Sequence, residues 1–411
     1  MRVLWLTKSP SGYASRSGDY NGYGWVSSLE RQISSTVTLA VSFVSNDADG
    51  PAVKDGVQYF PVPDPYDSGR TSRIRRLFSG NAAQRSWILS SFVKIIKEFR
   101  PDVIEVFGSE YPYGLVAEYV DIPVVLHVQG ILDACVKGFL PPGMSLFRYC
   151  LSGRTLRGIA GKYYHWLNMK RRAADEAEVL KTVNFFIGRT AWDREVVKTC
   201  NADASYFKVN EVLRPPFYKM AGTWSPSGRM KIVSTISEAP YKGMDLILRT
   251  ASLLRSRYGL RFEWKVFGNV DLSFYENFTG VNAEECGVMA AGVGGAEDIA
   301  SELVSASVYV HPSYVDNSPN SVCEAQMIGL PVVAAAVSGV PSLVEDGVTG
   351  LLAAPGNAED FAEKIRSLIV DADRAATIAG RGAAEAASRH DVRRIREDMF
   401  YVYSQLSPIC H

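Results

Sequence analysis

Nowhere in the 411 residues is there an apolar run of the roughly 20 residues that a bilayer-spanning helix requires. Residues 1–7 make a strand-like start that is cut off at Lys8 and Pro10, too short for the apolar core of a signal peptide. The six cysteines, Cys135, Cys150, Cys200, Cys286, Cys323 and Cys410, show neither CxxC spacing nor a regular framework. Reduced thiols in a cytoplasmic protein are expected, and metal sites are not. A complete dinucleotide fingerprint is also missing. Gly22 and Gly24 open a GxGxxG pattern, but Ser27 stands at its third glycine position, and about fourteen residues separate the first strand from Gly22. Acidic pairs of the Asp-x-Asp form occur only as Asp47 with Asp49 and Asp371 with Asp373, in stretches that read as loop and helix end. Repeats and low-complexity segments are absent.

Net charge is lacking too, with 44 Lys and Arg against 44 Asp and Glu, yet the balance hides an asymmetry. Residues 1–215 carry 27 basic against 21 acidic side chains, which leaves 17 against 23 for residues 216–411. The two halves thus face different partners. The positive excess gathers at residues 70–85 and 134–174. The second stretch has eight Lys or Arg and no Asp or Glu, interleaved with Phe139, Leu140, Phe147, Tyr149, Leu151, Tyr163, Tyr164 and Trp166. Such a mixture fits a membrane-surface or anionic-acceptor element, a solvated helix face with a loop, or, least well, a nucleic-acid platform.

What is present is the composition of a globular chain, 47% hydrophobic and 21% charged, and more residues than one core usually holds. Strand-like runs at 2–7, 37–44, 103–106, 124–128 and 183–187 alternate with helical stretches at 25–33, 87–99 and 170–181. A second series has strands at 231–236, 261–267, 288–291, 308–311 and 332–335, and helices at 244–258, 297–306, 319–329 and 358–369. The pattern predicts an α/β protein of two doubly wound, Rossmann-like domains, residues 1–215 and 216–382, facing a central crevice at the carboxyl ends of their strands. Residues 383–411 carry a final helix.

Residues 307–334 hold the densest chemistry. A buried strand ends at His311 and Pro312, and Ser318 and Pro319 then read as the N-cap and first residue of a helix that stops at Gly329 and Pro331. The first turn, Pro319, Asn320 and Ser321, offers backbone N–H groups and a positive dipole end to an anion such as phosphate. Glu324 emerges further along among Val322, Cys323, Ala325 and Met327, and Asp316 lies on the loop before the helix. Taken singly, each carboxylate also reads as an ordinary surface residue.

Taken with its flanks, this segment resembles the acidic motif of nucleotide-sugar-dependent glycosyltransferases with the GT-B fold, specifically the retaining enzymes of glycosyltransferase family 4. That family places two Glu with seven residues between them; here Asp316 takes the first place and Glu324 the second. Residues 331–334, 338–341 and 344–352 match the family's strand, glycine loop and turn in order, and the resemblance runs over residues 231–370. It implies that Glu324 holds the ribose hydroxyls, that Asp316 lies near the donor sugar, and that the last helix packs back on the first domain. Ser318, Asn320 and Ser321 are the donor-phosphate candidates. Lys242, on the loop after strand 231–236, can neutralise a diphosphate leaving group. The family's usual Arg five residues earlier is replaced by Ser237. Arg189, at the end of the last strand of the first domain, is the candidate substitute, with pairing to Asp193 as its alternative. Gly268 marks a tight turn where backbone approaches the donor, and Gly22 and Gly24 open the loop that in the family borders donor phosphate and acceptor. Where the family often has a sugar-contacting His, this chain has Gln129, with His127 on the same side of the strand; a core histidine is the alternative for His127.

These assignments imply a retaining, hexosyltransferase-type enzyme that moves a sugar from a nucleoside-diphosphate sugar to a carbohydrate or lipid-linked carbohydrate acceptor, as in polysaccharide or glycolipid synthesis. Asp316, Lys242, His127 and Gln129 are the catalytic candidates. No cofactor or metal is expected beyond the nucleotide-sugar co-substrate, because fixed cations and a helix N-terminus converge on the diphosphate. An anionic membrane surface is a candidate partner, which would place the protein in the cytoplasm at the inner face of the membrane; nucleic acid is not expected. A nucleotide-sugar epimerase, a sugar phosphorylase and a catalytically silent nucleotide-sugar binder of the same fold stay open, the last because of the departures at Asp316, Ser237 and Gln129.

Overall fold

The computed structural model describes residues 1–13, 24–66 and 82–407. The first half is built on an eight-stranded sheet: β1 Arg2–Thr7, β2 Thr38–Val44, β3 Ala52–Lys54, β4 Val57–Val62, β5 Val103–Phe107, β6 Val124–His127, β7 Phe185–Gly188 and β8 Ser205–Lys208, in the order β3-β4-β2-β1-β5-β6-β7-β8. Only the β3–β4 pair is antiparallel. Asp55 and Gly56 turn that hairpin, both at positive φ, a strong hairpin signal that the strand reading passes over. The described helices are α1 Gly24–Ile33, α2 Ala82–Phe99, α3 Leu132–Lys137, α4 Leu146–Leu151, α5 Leu156–Thr182 and α6 Ala191–Cys200. Helices cover both faces of the sheet, so β1 is buried from Val3 onward and reads as a near-continuous apolar run.

The second half carries six parallel strands, β9 Lys231–Thr235, β10 Glu263–Phe267, β11 Val288–Gly292, β12 Val308–His311, β13 Val332–Ala335 and β14 Leu351–Ala353, in the order β11-β10-β9-β12-β13-β14. Its helices are α7 Pro215–Lys219, α8 Met244–Ser256, α9 Leu272–Thr279, α10 Ala296–Ser305, α11 Asn320–Ile328, α12 Ala358–Val370, α13 Ala372–Arg389 and α14 Val392–Leu406. Strand order reverses between β1 and β5 in one sheet and between β9 and β12 in the other. Ligands of open α/β sheets bind outside the strand ends at such switch points.

The single terminal helix expected from residue 383 onward is two helices. The break falls at His390, and the Asp391 side chain accepts from the Arg394 N–H to cap α14. Ala375, Ile378 and Ala386 of α13 pack into the core of the second domain. Ile395, Met399, Val402 and Tyr403 of α14 pack with Trp5, Trp25 and Leu29 of the first. The chain therefore crosses between domains twice.

Candidate active site

A crevice of about 1000 Å3 opens at the carboxyl ends of both sheets, lined by Lys8 after β1, Gln129 after β6, Arg189 after β7, residues 235–242 after β9, Gly268 after β10 and residues 315–321 after β12. That is the size of pocket that holds a ligand of drug size or larger. The lining residue Lys242 is followed by Gly243. Its φ is +82°, and a Cβ there would stand 2.3 Å from the Pro312 carbonyl oxygen, so only glycine lets the β9 and β12 loops close on each other. This closeness brings Lys242 Nζ to 2.5 Å from Asp316 Oδ2, with His311 Nε2 3.2 Å from the same oxygen. Burial opposes ionisation of Asp316, but the Lys242 charge and His311 outweigh it and hold the carboxyl well below the usual carboxylate range. Asp316 is an anion at any working pH.

Two further acid–base pairs face the same space. Arg214 grips Glu324 with both ends of its guanidinium, Nε to Oε1 at 2.7 Å and Nη2 to Oε2 at 2.8 Å. Burial raises the Glu324 pKa, and Arg214 counteracts that rise. Each carboxylate oxygen has two acceptor sites, so two are left over beyond those that Arg214 takes. Arg189 is buried, its guanidinium 4.2 Å from the centre of the Trp25 ring and its Nε 3.4 Å from Glu211 Oε2. Asp193 instead accepts from the Arg189 backbone N–H at 3.1 Å, so the side chain is free of the helix-start pairing considered for it.

The helix start lies one residue later than expected. Pro319 occupies the cap position, α11 begins at Asn320, and no side chain caps it. Ser318 turns away because its hydroxyl donates to Glu211 Oε1 at 3.3 Å. The uncapped first turn, with Asn320 and Ser321, faces the crevice. Next to it Asn317 ties the domains together, accepting from Thr190 Oγ1 at 2.7 Å and donating to Asp193 Oδ2 at 2.9 Å and to the Gln129 carbonyl at 3.2 Å.

Gln129, Ser237 and Gly268 all line the crevice, the last with φ +129°. His127 does not. It is wholly buried, Nδ1 is 2.8 Å from Glu105 Oε1, and the ring packs on Phe107 and Trp25. Burial and the Arg189 charge push its pKa well below the histidine range. The shared strand face invoked for it and Gln129 fails because β6 ends at His127, and beyond that point alternation no longer governs direction. Gly24 opens α1 at the crevice; Gly22 lies outside the described residues.

Sequence reading missed Glu110, Arg172, Arg214 and Glu211. Glu110, in the crevice wall, is pushed up to about 7 by burial, with Glu176 adding to the rise. No local motif marks these residues, since each is defined by a partner far along the chain. Of the basic and aromatic stretch, Arg148 and Arg154 reach across to α9, donating to the Asn277 carbonyl and to Ser273 Oγ. Lys162 sits over Tyr149 and Phe274, and Arg172 donates to the Glu110 carbonyl. Phe139 and Tyr149 are core residues, whereas Phe147 and Leu156 are 73% and 88% exposed.

Comparison with known proteins agrees with this frame. Residues 229–371 match the family described as glycosyl transferases group 1. A sulfoquinovosyl transferase of Arabidopsis thaliana is 32% identical over 130 residues, 30% of this chain and 24% of that protein. A D-inositol 3-phosphate glycosyltransferase of Kribbella flavida is 42% identical over 83 residues, 20% of this chain and 19% of that one. The match thus spans about a quarter or less of the length of these relatives. Among solved structures, sucrose-phosphate synthase from Thermosynechococcus elongatus superposes with TM-score 0.75 at 14% identity, over 99% of both chains. HepE of Anabaena, solved with UDP and glucose, does so with TM-score 0.64 at 17% identity, over 98% of this chain and 99% of that one. Over residues 229–371 the chain is thus similar to the group 1 glycosyl transferases, and its two parallel-sheet domains share the GT-B fold of the superposed structures.

Proposed function

We propose that the chain is a retaining glycosyltransferase that takes a sugar from a nucleoside-diphosphate donor to a carbohydrate or lipid-linked carbohydrate acceptor. The observation that carries this reading is the convergence of Lys242, Arg189 and the uncapped first turn of α11 on one crevice. Breaking the bond from the sugar C1 to the phosphate oxygen leaves an oxocarbenium-like sugar and charge on the departing diphosphate. Stabilising that charge lowers the barrier most, and preorganised cations do so without reorganisation. Asp316 and Glu211 hold the two cations in place before the donor arrives. The acceptor oxygen then bonds to C1 on the face the phosphate leaves, and the phosphate oxygen takes the acceptor's proton, so no protein base is required. Glu324 holds the ribose, and Gln129 hydrogen-bonds the sugar. Similarity to a sulfoquinovosyl transferase and to D-inositol 3-phosphate glycosyltransferases, and the UDP-glucose complex of HepE, support a donor of this class.

Because fixed cations carry the leaving group, nucleotide release in the presence of acceptor should persist in excess EDTA. Loss of transfer restored by magnesium or manganese would overturn this assignment, and an altered free sugar nucleotide without acceptor would favour an epimerase. The exposed Phe147, Leu156 and Tyr163, in the same basic stretch as the exposed Arg157 and Lys170, are the residues proposed to meet an anionic membrane. Such attachment is weakened by salt, so flotation with anionic liposomes should be seen at low salt and lost at high salt. No flotation at low salt removes the membrane from the account.

A further inference from the structure

Both places where the chain crosses between domains send a metal-ligating side chain to one point, and α11 sends a third. Glu211 lies on the first crossing, before α7, and His390 at the second, between α13 and α14. Cys323 is on α11, next to Glu324. Their ligand atoms lie within 4.8 Å of one another, and all three residues are buried. His390 Nδ1 is 2.9 Å from the Glu211 carbonyl oxygen. A carbonyl only accepts, so Nδ1 carries the proton, and Nε2 keeps its lone pair with no hydrogen-bond partner. Fixing the second ring nitrogen on a backbone carbonyl is how metal-binding histidines are held. Glu211 Oε1 accepts from Ser318, and Oε2 forms no hydrogen bond but has Arg189 Nε at 3.4 Å. A buried polar atom without a partner, as His390 Nε2 is, calls for an explanation.

We propose that Glu211, Cys323 and His390 bind a divalent ion of the zinc class at the junction of the two domains. One thiolate, one carboxylate and one imidazole suit zinc, whose fourth position a water can take. Binding exchanges the Cys323 thiol proton, released to solvent, for a sulfur–metal bond, and the two anionic ligands balance the dication. Two guanidiniums stand near. Arg189 is 3.4 Å from Glu211, and Arg389, which binds Gln326 Oε1 at 3.1 Å and Glu385 at 3.4 Å, also hydrogen-bonds the Cys323 sulfur, a bond the ion would replace. The ion would pin both crossings to the helix that begins at the donor loop. It would brace a junction that Asn317 already ties together, without touching the diphosphate, so transfer in excess EDTA is still expected.

Cobalt titration of the metal-free full-length protein tests this. One equivalent of Co2+ should give a thiolate-to-cobalt charge-transfer band with tetrahedral visible bands, displaced by Zn2+ and untouched by Mg2+. Cys323→Ala should abolish the charge-transfer band, His390→Phe should weaken cobalt affinity at least tenfold, and Cys135→Ala and Cys410→Ala should keep the band. Wild-type protein without the band, or a band that survives Cys323→Ala, overturns the proposal. Because the wild-type titration decides by itself, a Cys323→Ala protein that fails to fold does not rescue it.

Discussion

At the scale of single residues, the crevice is governed by three ion pairs in which each carboxylate aims a cation. Glu324 shows the consequence most simply. Replacing it with alanine leaves the helix intact, since alanine favours helix, but removes the carboxylate that Arg214 grips and the acceptor proposed for two ribose hydroxyls. Hydrogen bonds to a charged group contribute about 1.5–3 kcal/mol, so Glu324→Ala should raise the donor dissociation constant roughly ten- to a hundredfold. Calorimetry with the nucleoside diphosphate reads this directly, and an unchanged constant would strip Glu324 of its role. The motif around Glu324 and Asp316 was legible because its signals are local: a strand end, a proline at a helix start, a glycine at its stop. Arg214 and Glu211 were not, because their significance comes from partners in other elements, Glu324 for Arg214 and Arg189 with Ser318 for Glu211.

At the scale of elements, the β9–α8 and β12–α11 loops work as one unit joined at Gly243. Gly243→Ala must accommodate a left-handed residue, at about 1–2 kcal/mol, and a Cβ pressed against the Pro312 carbonyl. We expect a lower melting temperature together with weaker donor binding, as Lys242 swings away from Asp316. Wild-type donor affinity in a folded Gly243→Ala protein would show that the loop junction does not position Lys242. Buried parallel strands such as β1, β12 and β13 could be located in the sequence to the residue, since helices on both faces force continuous apolar runs. The short edge strands β3, β8 and β14 were missed because no residue of β3 or β8 is buried and β14 is only three residues long. α5 was foreseen only in its second half, since its start is rich in aromatic, glycine and basic residues that hide the helical period.

At the scale of the whole molecule, α14 is locked to the first sheet through a buried network. Glu105 accepts from the Tyr403 hydroxyl, Trp5 Nε1 donates to that hydroxyl at 3.1 Å, and His127 is the other neighbour of Glu105. Burial raises the Glu105 pKa from 4.5 to about 8, against the lowering effect of Tyr403 and Trp5. His127 stays neutral and Tyr403 stays protonated. Between those two values the native state holds a proton that the unfolded chain has released, so stability falls as pH rises through the window, and the loss is complete above it. The slope from this one group can reach about 1.4 kcal/mol per pH unit. Glu105→Gln, which keeps a neutral partner for Tyr403, should flatten that dependence in denaturant titrations across the window; an unchanged slope would place its origin elsewhere.

The central claim is transfer from a nucleoside-diphosphate sugar with retention, driven by fixed cations. Its most direct test is NMR of the glycoside formed from the nucleotide sugar that most stabilises the protein, for wild type and for Lys242→Ala. The account predicts that an α-linked donor gives an α-linked product with one nucleoside diphosphate released per transfer, and that Lys242→Ala slows turnover on the order of a hundredfold, as loss of one preorganised charge-stabilising donor does. A β-linked product, or undiminished turnover in Lys242→Ala, would contradict it.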